Sequence, residues 1–279
     1  MNILITGANG QLGTELSKIL PNAILTSHQD LDITNFESVR DFTIKNHINT
    51  IINCAGYTAV DAAEDDYFNA KKINSIGPQN LAQTGCKLIH ISTDYVFDGH
   101  HKTPYKPGDD TNPHSIYGWT KLMGETGVIK NSVDYAIIRT SWLYSPYGKN
   151  FVKTMRKLGL THETLDVVDD QIGTPTYAAD LASAIVEIIP QINTSNRGIY
   201  HYSNMGECSW YDFACEIMKM SNIKCKVRPT TSSEYKTKAS RPKYSVLDKT
   251  KTIDTFGIKI PDWQEALKRC LNEMGTPQK

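Results

Sequence analysis

Asn2-Ile3-Leu4-Ile5-Thr6-Gly7-Ala8-Asn9-Gly10-Gln11-Leu12-Gly13 carries an apolar run straight into a glycine-punctuated turn. The run is rich in Ile and Leu, as a parallel strand buried on both faces requires. The turn reads G-x-x-G-x-x-G, with Gly7, Gly10 and Gly13 at its corners, and an amphipathic stretch follows it. Glycines there permit a tight turn and let backbone approach a pyrophosphate closely. The helix N-terminus beyond them offers unpaired N–H groups and a partial positive charge. Strand, glycine turn and helix in that order predict the start of a dinucleotide-binding fold.

Working outward, the same rhythm repeats. Apolar strand candidates fall at 2–6, 23–26, 50–53, 87–92, 135–139 and 164–168. Helix candidates lie between them at 11–20, 36–46, 67–84, 116–130 and 150–158. Gly77-Pro78 is expected to kink or split the third, because proline lacks the N–H that an inner turn needs. Alternating β and α segments predict right-handed βαβ units in a doubly wound parallel sheet, the α/β Rossmann architecture. After about residue 170 the rhythm breaks into helix 177–189, strand 198–202, helix 210–220 and then loop chemistry around Arg228-Pro229 and Arg241-Pro242. Residues 1–170 are expected to form mainly the dinucleotide-binding domain. Residues 171–279 are expected to form mainly a smaller C-terminal part, with some chain exchange between the two.

Of the 279 residues, 39% are apolar, enough for a sizeable core. A formal net charge of zero gives no global pull toward nucleic acid or anionic membrane, and neither is expected as a partner. Cys54, Cys86, Cys208, Cys215, Cys225 and Cys270 form no C-x-x-C pair and no zinc-finger spacing, so reduced structural thiols are expected. The apolar start at 3–5 is too short for a signal peptide, and no stretch approaches the ~20 apolar residues of a membrane span. A soluble, cytoplasmic protein is the expectation.

Tyr117-Gly118-Trp119-Thr120-Lys121 sets Tyr and Lys at i and i+4, on one face of a helix. Reducing a ketone needs a hydride and a proton for the developing alkoxide. A tyrosine can give the proton, and a nearby ammonium should lower its pKa from ~10. The same lysine can hold a nicotinamide ribose. Upstream, Ile89-His90-Ile91-Ser92-Thr93-Asp94 ends a strand with hydroxyls, and Thr93 can donate to the carbonyl beside Tyr117. The second strand ends near Ser27-His28-Gln29 without the acid that favours NAD or the arginine that favours NADP, so NADPH and NADH both stay open. Asp32 is placed to reach the adenine rather than the ribose.

Asn53-Cys54-Ala55-Gly56-Tyr57-Thr58-Ala59-Val60-Asp61, Ser92-Thr93-Asp94-Tyr95-Val96-Phe97-Asp98-Gly99, Tyr117-Gly118-x-x-Lys121 and Arg139-Thr140-Ser141-Trp142-Leu143-Tyr144 together resemble the dTDP-4-dehydrorhamnose reductases of the extended short-chain dehydrogenase superfamily. Asp170-Gln171-x-Gly173-x-Pro175-Thr176 and Ala239-Ser240-Arg241-Pro242 continue the resemblance over nearly the whole chain. It implies reduction of the 4-keto group of dTDP-4-dehydro-L-rhamnose, with a dTDP-linked keto sugar as partner and the C-terminal part holding it. It implies that Gly10, Gln11 and Leu12 contact the cofactor pyrophosphate, and that Asp32 and Ile33 flank the adenine. Ala55, Gly56, Tyr57 and Thr58 would line the nicotinamide side. Thr93, Asp94 and Trp142 would contact the sugar, and Tyr117 would donate the proton. Glu15 matches a position that holds a metal at a dimer contact in some members; here it reads as a solvated helix acid, and no metal is assigned.

Charge gives a test independent of that resemblance. Residues 219–251 hold ten Lys and Arg against Glu234 and Asp248 alone. A nucleoside diphosphate could use such a patch, and Arg241 beside Pro242 is the expected contact. Most of the lysines read as solvated surface. Trp142 follows a strand end, where a ring can stack on sugar or base. His90 reads as a core histidine, and His100, His101 and His114 as solvated. Three readings stay in view: this reductase, a reductase or epimerase of another nucleotide-linked keto sugar, and a non-catalytic regulatory subunit of the same fold. A homodimer is expected by analogy with the superfamily alone.

Overall fold

The computed structural model describes residues 2–276, so the last three positions of the C-terminal part lie outside the described residues. Six strands form the central sheet: β1 (Ile3–Thr6), β2 (Ile24–Thr26), β3 (Thr50–Asn53), β4 (Lys87–Thr93), β5 (Tyr135–Thr140) and β6 (Gly198–His201). Every pairing is parallel and the order is β6-β5-β4-β3-β1-β2. Successive side chains leave a strand on opposite faces, so the apolar strands feed two cores. Ile3, Ile5, Ile52, Ile89 and Ile138 pack on one side with Leu12 and Leu16 of α1 (Gln11–Ile19). Leu4, Ile51, Leu88 and Ile137 pack on the other with Val39 of α2 (Phe36–Lys45) and Val128 of α3 (Ile116–Asn131). α4 (Ala178–Ile188) joins α1 over the first face through Leu181, Ile185 and Ile188.

One expected strand sits elsewhere. Thr164–Val168 does not enter the central sheet; it pairs in parallel with Lys226–Thr230 in a two-stranded sheet. Its Thr164 and Asp166 are exposed, unlike a strand buried on both faces. The sixth place belongs instead to β6, from beyond residue 170, which lies beside β5. In return, Tyr144, Val152, Met155 and Val167 belong to a second core with Phe213 and Ile217 of α5 (Trp210–Met220) and Trp263, Ala266 and Leu267 of α6 (Trp263–Met274).

The helix at 67–82 is split ahead of Pro78. It runs as α-helix over Tyr67–Lys71, opens into one π turn at Lys72–Ile76 and resumes at Gly77–Ala82. Pro78 has no N–H for the Asn74 carbonyl, and a π turn is a common answer to a broken ladder. α3 crosses that spot closely: a Cβ on Gly124 would fall 2.1 Å from the Asn74 carbonyl oxygen. A Cβ on Gly118 would fall 2.2 Å from the Tyr95 carbonyl oxygen. Two glycines thus let α3 press against the end of β4 and the bent helix, which fixes where Tyr117 and Lys121 point.

Candidate active site

The strand order reverses between β1 and β3, and ligands of open α/β sheets bind at such a point. A cleft of about 560 Å³ opens there at the strands' carboxyl ends. Gly7, Gly10, Asp32, Ile33, Ala55 and Gly56 line it, as the sequence led us to expect. Ser27, His28 and Gln29 line it too, at the end of β2. Gly7 has φ +65°, and a Cβ on it would lie 2.6 Å from the Ala55 amide nitrogen. Gly10 caps α1 in extended conformation with no side-chain bond, so the first N–H groups of α1 have no side-chain partner. A glycine cradle ending in such a helix terminus fits a dinucleotide pyrophosphate. Asp32 bonds Thr34 through Oδ1, with the Thr34 amide at 2.9 Å and its hydroxyl at 2.8 Å, and so shapes its own loop.

Gln11 does something sequence reasoning missed. Its side chain turns from the cleft to the 143–150 segment: Nε2 donates to the Leu143 carbonyl at 3.3 Å, and Oε1 accepts from Asn150 at 2.8 Å. Only its backbone remains for a phosphate. Leu12 and Gly13 are buried in α1, with Leu12 in the core beneath the turn. Tyr57 and Thr58 follow the cleft rather than line it. Their loop is clamped by Asn74, whose Oδ1 accepts from the Tyr57 amide at 2.8 Å and whose Nδ2 donates to the Tyr57 carbonyl at 3.1 Å. Asn74 Nδ2 also reaches Thr120 Oγ1 on α3 at 3.1 Å. The Pro78 signal four residues on marks the bend that presents Asn74.

Tyr117, Lys121 and Thr93 come together where α3 meets the end of β4. Ser115 caps α3 by accepting from the Gly118 amide at 3.1 Å. Tyr117 has the Thr93 hydroxyl as a neighbour, and its ring meets Tyr95 edge-on at 5.4 Å. Lys121 is buried, and its ammonium donates to the Ile91 carbonyl at 2.6 Å. Burial pulls its pKa down to about 8, with Glu125 and Cys54 opposing. The expectation that this ammonium lowers the Tyr117 pKa needs correcting. Burial pushes the phenol up, and the bond to Thr93 only offsets it. One N–H of the ammonium goes to the Ile91 carbonyl, and Tyr117, raised by burial, stands as a protonated donor at neutral pH.

Asp94 lies beside Thr93, accepting from its hydroxyl at 3.0 Å, while Oδ2 is buried without a partner. Burial raises the carboxyl to about 6, against the bond from Thr93. The folded pKa is thus above the unfolded value near 3.9, and the folded chain prefers the proton. Stability is lost as pH rises through that window, and the full penalty of about 3 kcal/mol stands above pH 6. Asp94→Asn is expected to raise Tm at pH 8 and leave it nearly unchanged at pH 4. Calorimetry at the two pH values checks this, and equal shifts at both would sink it.

Trp142 holds a left-handed backbone, φ +48°. Its ring stacks on Trp210 at 3.6 Å and 9°, and a Cβ on Gly173 would lie 2.6 Å from its Cε2. The stacked face is covered, so a sugar can meet the ring only elsewhere. Arg241 is also engaged: it donates to Asp61 at 2.7 Å, to the Tyr95 hydroxyl at 3.1 Å and to Thr237 at 3.3 Å. Three more cations of the basic stretch around it meet acids, Lys238 on Asp65, Arg228 on Asp166 and Lys219 on Glu216. Glu15 is not the solvated acid expected. It is buried on the inner side of α1 and pairs with Lys18 at 3.0 Å, which also meets Glu273 at 2.7 Å. His90 is fully buried and bonded to Asn53, whereas His100, His101 and His114 are exposed. The six cysteines are free thiols. Among the described residues no helix is long and apolar enough to cross a membrane.

The family model described as the RmlD substrate binding domain matches residues 1–276. A dTDP-4-dehydrorhamnose reductase from Aggregatibacter actinomycetemcomitans is 41% identical over 95% of this chain and 97% of its own. The chain belongs to the dTDP-4-dehydrorhamnose reductase family. Solved structures agree. The dTDP-4-dehydrorhamnose reductase from Clostridium acetobutylicum superposes with a TM-score of 0.95 at 48% identity, over 98% of this chain and 99% of that one. The one from Bacillus anthracis, in complex with NADP, gives 0.93 at 43% identity over 98% and 100%. The dTDP-4-dehydrorhamnose reductase family therefore accounts for the glycine cradle, the six-stranded sheet and the C-terminal part together, as one NAD(P)H-dependent oxidoreductase.

Proposed function

We propose that this protein reduces the 4-keto group of dTDP-4-dehydro-L-rhamnose to give dTDP-L-rhamnose, using NADPH or NADH. The observation that carries the reading is the meeting of half-buried Tyr117 with buried Thr93 and Lys121 beside a glycine-cradled cleft. The dinucleotide, held at Gly7, Gly10, Gln11, Leu12 and Gly13 and flanked by Asp32, Ile33 and the 55–58 loop, supplies the hydride. Tyr117 gives its phenolic proton to the 4-oxygen. Thr93 donates a hydrogen bond to that same oxygen, so charge developing there meets a placed donor. Lys121 holds the ribose and offsets the phenolate as it forms. Asp94 and the uncovered edge of Trp142 contact the sugar. Arg241 contacts the diphosphate in competition with Asp61. The part after residue 170 supplies most of the nucleotide-sugar site, and we place the protein in the cytoplasm as a homodimer.

The test is a spectrophotometric assay with dTDP-4-dehydro-L-rhamnose and each nicotinamide cofactor, run beside other dTDP- and GDP-linked keto sugars. Cofactor oxidation with the rhamnose precursor at the highest kcat/KM is expected. Oxidation with another keto sugar only moves the substrate assignment, and no oxidation with any of them overturns the enzyme reading.

A further inference from the structure

Charged side chains almost never lie fully buried unless paired, and burying even a pair is costly. Arg139 and Glu125 do so under the active site, at 2% and 1% exposure. Arg139 sits on β5 and Glu125 on α3. The guanidinium grips the carboxylate with two bonds, Nε to Oε1 at 2.9 Å and Nη2 to Oε2 at 2.7 Å. Ser92 of β4 donates to the same carboxylate at 2.5 Å. Ser92 stands directly opposite Arg139 in the β4–β5 register. One carboxylate therefore ties two adjacent strands to the catalytic helix.

The residues on either side of Ser92 both serve the site. The Ile91 carbonyl takes the Lys121 ammonium, and the Thr93 hydroxyl neighbours Tyr117. Lys121 is one turn before Glu125, so the two side chains are neighbours on α3. The other titratable groups around that ammonium are Cys54, His90 and Tyr117. Burial holds Cys54 up at about 12, holds His90 well below its usual range and holds Tyr117 protonated. Glu125 is thus the charge that faces Lys121, with Arg139 behind it. Tyr105 stacks on Phe97 at 4.2 Å, and Phe97 lies 5.0 Å from the guanidinium, which closes the site of the pair to water.

We propose that Glu125, fixed by Arg139 and Ser92, is a positioning residue for the reduction: it sets the spacing of β4 against α3 and keeps a negative charge facing the Lys121 ammonium. The proposal rests on the assignment of Tyr117 and Lys121 above. The sign follows from the charges. Removing the carboxylate leaves the ammonium less favoured, so Lys121 loses its proton at lower pH. The active form then disappears earlier on the alkaline side.

The test uses the double variant Glu125→Leu/Arg139→Met in the full chain. Taking out both charges is tolerated where taking out one leaves the other stranded. We expect an unchanged KM for the keto sugar, and a kcat whose alkaline limb moves down by about one pH unit, since the field of Glu125 is partly cancelled by Arg139. At a pH above that limb the loss is roughly tenfold. If the double variant does not fold, Glu125→Gln keeps the volume, and the limb is expected to move further down than in the double variant, because the Arg139 charge is then uncancelled. A limb that stays in place, with or without a lower kcat, reduces the pair to a structural role and overturns the proposal. Lys121→Met is measured alongside. If it keeps wild-type turnover, the catalytic assignment itself has failed; if it is inactive and the limb has not moved, only the present inference has.

Discussion

Tyr117→Phe is expected to lower kcat by roughly 10³-fold, within the span typical of a lost general acid. The substitution removes one oxygen and little else. The ring keeps its edge contact with Tyr95, and Gly118 still seats α3 against the Tyr95 carbonyl. Nothing in the cleft that cradles the cofactor changes, so the dissociation constant for NADPH should match the wild type. What disappears is the proton that we propose is aimed at the 4-oxygen, while Thr93 keeps its bond to Asp94. Hydride arriving at the carbonyl carbon would then leave an alkoxide with only Thr93 to stabilise it. Single-turnover reduction with bound NADPH reads the chemical step directly. A Phe variant that turns over at the wild-type rate would remove Tyr117 from the mechanism.

The second large effect is expected away from the reacting atoms. Asn74→Ala strips the partner from the Tyr57 amide and carbonyl and from Thr120. Buried polar groups left unpaired cost about 1–3 kcal/mol each, and about 3 kcal/mol in total is a fair expectation here. For a chain of this size that corresponds to a fall in Tm of roughly 6–12 °C. The loss should also show in kinetics. The 56–58 loop, which we propose flanks the nicotinamide, is released, so KM for the cofactor should rise more than kcat falls. Calorimetry and a cofactor titration together check this, and a variant with wild-type Tm and KM would show that the clamp does not matter.

Local chemistry made much of this molecule legible. The glycine turn is readable because a backbone approach as tight as that of Gly7 on Ala55 excludes any Cβ, and the requirement lies within a few consecutive residues. Tyr117 and Lys121 are readable because helix spacing puts i and i+4 on one face. Pro78 announces a bend for an equally local reason. What could not be read were contacts that only the fold brings together. Glu125 meets Ser92 from 33 positions away, and Asn74 meets Thr120 from 46. Thr164–Val168 has the composition of a strand, but its partner at Lys226–Thr230 was set by the second core rather than the first. β6 joins the main sheet because the edge of β5 was open to it. The basic count over 219–251 could not show that Asp166, Asp65 and Asp61, distant in sequence, pair with Arg228, Lys238 and Arg241.

The Trp142–Trp210 stack has an optical consequence. Two indoles held parallel at 3.6 Å couple as a pair of oscillators and give a paired positive and negative band in circular dichroism. One ring hangs from the strained corner after β5, and the other opens α5 in the second core. Both rings pack against that same core, so the protein carries its own unlabelled gauge of how the corner after β5 sits on α5, and a nucleotide sugar that parts the rings would silence it.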